Sequence, residues 1–191
     1  MSPDIQDEIK ASIAVKEATL QDEHLLSQLS ELIDACLASL QQGGKIIFCG
    51  NGGSFADAQH LSAEFTSRFL FDRAPLPSLA LGTNNSAISA IGNDYGYEFV
   101  FSRELQSIAT EKDVFVGIST SGNSPNVIAA VEVAKQMNVT TYVLTGQSGG
   151  KLKALCNCLC IPSPDTARIQ ECHILLGHIL CGQVEKRYFK G

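Results

Sequence analysis

The 191-residue chain contains no tryptophan and only two methionines. It is poor in charge of one sign: 14 Lys and Arg stand against 20 Asp and Glu, for a net charge of −6. No Lys/Arg stripe interrupts that acidic balance, so a nucleic-acid backbone is not expected as a partner. Long apolar runs are also missing. The longest are about five residues, against the ~20 needed to cross a bilayer, so no membrane partner is expected. The first ten residues, MSPDIQDEIK, are polar and acidic, unlike a secretory signal, which points to a cytoplasmic location. Charged residues make up only 18% and hydrophobic residues 45%, which excludes a disordered chain. At about 150 residues per domain, 1–191 reads as a single domain.

A disulfide framework is absent too, although seven cysteines are present. The count is odd, most positions are apolar in context, and free thiols in a reducing compartment are the better reading. Cys156, Cys158 and Cys160 alternate as one face of a strand would. Their spacing lacks the paired C-x-x-C of structural zinc sites, so core packing is expected.

No internal repeat or low-complexity tract is found. Residues 1–42 read as two helices. Ser2-Pro3 opens the first, with Ile5, Ile9, Ile13 and Val15 as its stripe. Leu25, Leu29, Leu32, Ile33, Cys36, Leu37 and Leu40 form the second stripe, which Gly43-Gly44 stops. From residue 43 onward, short apolar runs alternate with amphipathic stretches. Strands are predicted at 45–50, 79–81, 114–118, 140–144 and 159–161. Helices are predicted at 54–68, 85–92, 99–107, 125–137 and 166–188. This alternation predicts βαβ units. Fully apolar strands imply a sheet covered on both faces. The expected fold is a three-layer α/β/α sandwich around a five-stranded parallel sheet, flavodoxin-like, behind two leading helices.

Ligands of such sheets sit beyond the carboxyl ends of the strands. Three of those ends carry Gly/Ser/Thr/Asn loops: Gly50–Ser54, Ser119–Ser124 and Thr145–Gly150. Ser119-Thr120-Ser121-Gly122-Asn123-Ser124 offers hydroxyls beside the free N–H groups of a helix start, a phosphate cradle. An ordinary cap needs only one such residue. No lysine follows in the G-K-[ST] pattern, so a nucleotide P-loop is not indicated. In Gly50–Ser54 the glycines permit close approach of a ligand, and a plain tight turn reads the same. His60 and Glu64 share a helix face one turn apart. They suit a divalent metal such as zinc, and equally describe a surface pair or a capped core histidine. Gln170 and His178 lie about 12 Å apart along one helix, and spacing alone does not join them. His173 reads as a helix histidine with a hydrogen-bond partner, His24 as solvated, and Asn93-Asp94 as a turn.

Taken together, GNGGS, DAQH-x-x-x-E, IGND, ISTSGNS, LTG-x-x-GG and RIQE-x-H-x-x-x-x-H resemble the phosphoheptose isomerases of the sugar isomerase (SIS) domain superfamily, over residues 45 to about 188. STSGNS alone indicates only a SIS domain; His60, Glu64, Gln170 and His178 jointly narrow it. The resemblance implies conversion of sedoheptulose 7-phosphate to D-glycero-D-manno-heptose 7-phosphate through a metal-assisted enediolate. That reaction is the first step toward the nucleotide-heptose of lipopolysaccharide or related glycans. It implies Asn51, Gly52, Gly53, Asn93, Asp94, Ser119, Thr120, Ser121, Ser124, Glu64 and Gln170 as substrate-binding residues. One Zn²⁺ per subunit would be held by His60, Glu64, Gln170 and His178, with Glu64 and His178 as the acid/base pair. It also implies a homotetramer with active sites between subunits, which would ease the spacing of Gln170 and His178. Two positions depart from the family pattern. Ala167 stands where some members carry Asp before R-I-Q-E, and Phe55 stands where many have a small or polar residue. A non-catalytic SIS tetramer of the replication-initiator-associating type is the alternative reading. Those relatives keep GNG-x-S, AQH and ARIQE-x-H but lack the histidine found here at 178. Arabinose 5-phosphate isomerases usually append a regulatory module, and sugar-phosphate sensors a helix-turn-helix domain. Neither is expected in 191 residues of this pattern.

Overall fold

The computed structural model describes residues 3–190, so the cap predicted at Ser2 lies outside the described residues. Two helices lead, α1 (Pro3–Gln21) and α2 (Glu23–Gln41). Asp22 separates them and caps the second, its carboxylate accepting from Leu25 N–H at 3.0 Å. Then follow β1 (Ile46–Gly50), α3 (Gly53–Thr66), β2 (Ser78–Ala80) and α4 (Asn85–Asp94). After a short 3₁₀ turn at Tyr97–Phe99 come α5 (Val100–Ile108), β3 (Val114–Ser119), α6 (Pro125–Gln136) and β4 (Thr140–Gly146). A second 3₁₀ segment, Gly150–Ala154, precedes β5 (Asn157–Ile161) and the long α7 (Thr166–Lys190).

All strand pairs are parallel, in the order β2-β1-β3-β4-β5. The fully apolar strands are explained by burial on both faces. Ile46 and Phe48 enter the core under α2, α3 and α7, whereas Ile47 and Cys49 enter the core under α5 and α6. The same alternation sends Val116 and Leu144 one way and Phe115 and Val143 the other. The predicted elements are all present, with ends displaced by a few residues. β5 begins at Asn157, so Cys156 sits in the bend before it, while Cys158 and Cys160 keep to one face as expected. The thiols are all free, and Cys36, Cys49, Cys158, Cys172 and Cys181 are buried.

The strand order reverses direction between β1 and β3. That is the switch point at which sheets of this kind open a crevice. The loops after β1 and β3 therefore meet.

Candidate active site

The β3–α6 loop is stiffened from behind. A Cβ on Gly122 (φ 65°) would meet the Gly149 carbonyl oxygen at 2.1 Å, so only glycine fits where the β3 and β4 loops touch. Leu152 N–H donates to Gly122 O, and Lys151 N–H to Asn123 Oδ1. Ser124 occupies the cap position of α6, yet its side chain makes no cap bond. Instead its Oγ lies 2.9 Å from Ser119 Oγ. α6 begins with Pro125, which has no N–H, and the Val127 N–H is taken by Asn126 Oδ1, so an anion here would rest mainly on the loop hydroxyls. Thr120 and Ser121 line a cleft of about 310 Å³ with Gln147, Ser148, Ser163 and Thr166.

The second part of the site lies along the seam of α3 and α7, which run side by side in parallel. A Cβ on Gly53 would strike the Gln170 side chain, one on Gly177 would come within 2.6 Å of Leu61, and one on Gly182 within 3.3 Å of Phe69. Glycines on α7 let the two helices approach closely. On that seam His60 Nε2 lies 2.9 Å from His178 Nε2 and 3.2 Å from Glu64 Oε1. Ligand atoms of all three fall within 4.8 Å of one another. His178 is held by its flat stack on Phe69, with ring centroids 5.6 Å apart. Phe69 is fixed in turn by Glu185, which accepts from the Phe69 and Leu70 N–H groups and pairs with Arg73 at 2.9 Å. Burial pushes the Glu185 carboxyl up. Those two N–H bonds and Arg73 outweigh it, leaving the group below its ordinary value. Two imidazole nitrogens and a carboxylate oxygen aimed at one point are the donor set of a catalytic zinc with a further position open to ligand. The residues present therefore fit such an ion. Asp57, one turn before His60, has a buried Oδ2 with no hydrogen-bond partner among the described residues. Burial pushes its carboxyl up, against the pull of His60.

The remaining predicted residues are distributed as follows. Gln170 lies against the start of α3, donating to Ser54 Oγ at 3.3 Å, two turns along the seam from His178. Gly52 (φ 56°) and Gly53 form the exposed turn into α3. Asn93 and Asp94 close α4, where Asn93 Nδ2 donates to Asp94 Oδ1 at 2.8 Å and both face solvent. Ala167 sits in the first turn of α7. The nearby Asp165 carboxylate is engaged as the cap, accepting from Ala167 and Arg168 N–H. Phe55 lines a cavity of about 70 Å³ beside Asn51, with Ile88, Tyr97 and Phe101. His173 is buried and donates to Thr145 O at 3.1 Å, as expected, and burial lowers it to about 4. His24 is exposed, as expected. Sequence reading missed Asn126, Tyr97, Asp57 and Phe69. Each takes its importance from a contact 20 or more positions away or from burial, neither of which a local pattern carries.

The SIS domain family model matches residues 10–146. A phosphoheptose isomerase of Aneurinibacillus thermoaerophilus is 52% identical over 191 residues, covering 100% of this chain and 96% of that protein. The solved phosphoheptose isomerase of Francisella tularensis superposes with a TM-score of 0.92 at 34% identity, over 97% of this chain and 100% of that one. That of Neisseria gonorrhoeae gives a TM-score of 0.87 at 42% identity, over 94% and 97%. The chain belongs to the SIS domain family and, within it, to the phosphoheptose isomerases, which are aldose–ketose isomerases.

Proposed function

We propose that the protein interconverts sedoheptulose 7-phosphate and D-glycero-D-manno-heptose 7-phosphate, supplying a heptose phosphate for the nucleotide-heptose of lipopolysaccharide or a related glycan. The observation that carries this reading is the convergence of His60, Glu64 and His178, together with a hydroxyl-rich Ser119–Ser124 loop whose Ser124 makes no cap bond. The phosphate rests on Ser119, Thr120, Ser121 and Ser124 at the start of α6. Its binding energy fixes a flexible seven-carbon chain in register. Asn51, Gly52, Gly53, Asn93, Asp94 and Gln170 complete the substrate contacts. The open-chain sugar extends from the phosphate toward the α3–α7 seam.

The reaction moves a proton between C1 and C2. Glu64 takes the proton from C1, and His178 delivers one at C2 and serves the neighbouring oxygens. His60, Glu64 and His178 would hold a zinc ion, one per subunit, with Gln170 reaching it from a neighbouring subunit, and its charge would stabilise negative charge developing on the substrate oxygens. Phe69 keeps the His178 ring in one plane, and Glu185 keeps Phe69 in place. Arg168 is taken up by Glu8 and Glu171, so the phosphate relies on loop hydroxyls and N–H groups rather than on that cation.

Homotetramer formation, with sites between subunits, is part of the proposal. Ile5, Ile9 and Ile13 stand exposed on α1, and Leu175 and Ile179 flank His178 on the exposed side of α7. A partner subunit covering these residues would bury them and close the site. Paired Ile9→Asp and Ile13→Asp changes should shift the mass measured by light scattering toward monomer. A cytoplasmic location is part of the proposal; among the described residues no helix is long and apolar enough to cross a membrane.

Turnover of sedoheptulose 7-phosphate by purified protein, followed as aldose formation, is the deciding test. No turnover in folded, zinc-supplied protein would leave the non-catalytic protein-binding scaffold as the reading.

A further inference from the structure

Where the loops after β1 and β3 meet, two side-chain amides face one another. Asn51 Nδ2 donates to Asn126 Oδ1 at 2.8 Å, and Asn126 Nδ2 donates to Asn51 Oδ1 at 2.8 Å. Asn126 is the second residue of α6 and only 2% exposed, whereas Asn51 is half-buried at the crevice. Two more groups join them. The Val127 N–H, in the first turn of α6, donates to Asn126 Oδ1 at 3.0 Å. The Tyr97 hydroxyl donates to Asn51 Oδ1 at 3.3 Å.

This network has one consistent orientation. A reciprocal amide pair survives if both amides are turned over together, so the pair alone does not fix which atom is oxygen. The Val127 N–H does, because a backbone N–H can only donate and must meet an oxygen. Asn126 Oδ1 therefore points at Val127 and at Asn51 Nδ2, and the second bond of the pair follows. Each amide oxygen has two acceptor positions and each NH₂ has two hydrogens. Asn51 Oδ1 is filled by Asn126 and Tyr97. One Asn51 N–H is taken by Asn126 and the other is left.

We infer that Asn126 is a positioning residue that makes Asn51 a pure donor, presenting one N–H and no free acceptor to the crevice. The group it recognises is an acceptor oxygen, phosphoryl or carbonyl, and not a sugar hydroxyl offering its hydrogen. The inference rests on the proposed function for the identity of the ligand, a sugar phosphate. It does not rest on it for the orientation of the amide. Mechanically, the start of α6 sets the phosphate loop and, through Asn126, the β1–α3 loop as well. Phosphate end and β1 end are thereby held in one register.

Two measurements test this. The first needs no ligand: hydrogen exchange of the Asn51 side-chain amide, by ¹⁵N NMR. In the unmodified protein one Asn51 N–H should be protected and the other exchange freely, and in Asn126→Ala both should exchange freely. Equal exchange of both hydrogens in the unmodified protein overturns the orientation. The second is a double-mutant cycle in KM for sedoheptulose 7-phosphate. Asn126→Ala should raise KM about tenfold with a smaller change in kcat, and that rise should vanish in an Asn51→Ala background. Additive effects of the two changes overturn the positioning role. Asn126→Asp keeps an oxygen for Val127 and for Asn51 Nδ2 but removes the donor to Asn51 Oδ1. It should raise KM in the same direction while folding as the parent does, which guards against a mere loss of structure. An unmodified protein that fails to turn over sedoheptulose 7-phosphate sinks the proposed function. The exchange measurement then decides the orientation alone.

Discussion

The two halves of the site are built differently. The proposed phosphate end is made from one contiguous stretch, Ser119–Ser124, placed by the β3–α6 turn and braced from behind by the segment after β4. The seam end draws His60 and Glu64 from α3 and His178 from α7, 118 positions away from His60, and exists only because two helices pack side by side. A loop at the switch point needs local turn chemistry and a sheet. A helix seam needs close packing along its whole length, with Gly177 against Leu61 and Glu185 bracing the far end. The seam end should therefore be the more sensitive to distant change, and the loop end the more tolerant.

The largest expected effect strikes the seam directly. His60→Ala removes one of three converging side chains that could hold the metal. It should lower kcat by on the order of 10³-fold with zinc binding weakened in parallel, checked by metal analysis and steady-state rates. If kcat falls without loss of metal, His60 acts on substrate rather than as a ligand. Next, Glu185→Gln leaves the buried Arg73 without its countercharge, since both side chains are nearly inaccessible. It should cost roughly 3 kcal/mol of stability by denaturant unfolding and disturb Phe69 and His178 with it. A kcat unchanged in that variant would mean the brace serves the fold alone.

Acid should weaken the seam side for two reasons of the same sign. Glu185 lies below its ordinary 4.5 in the folded protein, so its contribution is present above 4.5 and lost as pH falls through its folded value. His173 is lowered from 6.5 to about 4 by burial, so the unfolded chain takes up a proton first and stability declines from pH 6.5 toward 4. Unfolding free energies measured across that range should flatten in His173→Gln. The smallest effect belongs to the loop: Ser119→Ala should raise KM about tenfold and lower kcat less, since other donors remain. The reverse split would mean the loop acts chiefly in the transition state.

The proposed phosphate loop is legible in the residue order because its chemistry is contiguous. Hydroxyls, a glycine and a helix start lie within six positions of an apolar strand. The strands are legible for a similar reason, their apolar runs marking burial on both faces. His60 and Glu64 are visible as a pair but ambiguous, because one helical turn brings together many pairs that hold nothing. Gln170 and His178 share a helix without any local reason to share a site. The structure places Gln170 against Gly53 and Ser54 while His178 meets His60. Asn126 carries no local signal, since an asparagine in a first helical turn usually serves its own helix.

By itself, then, the sequence determined the element order, the two-sided burial of the sheet and the hydroxyl-rich loop proposed to hold the phosphate. These follow from period, apolar runs and turn residues, whose causes lie within a few positions. Only the tertiary structure decided that α3 and α7 run together, that His178 closes the pair made by His60 and Glu64, and that Asn126 orients Asn51. Those are contacts between distant segments. Their geometry is set by how two helices and two loops pack on one sheet, which no local pattern records.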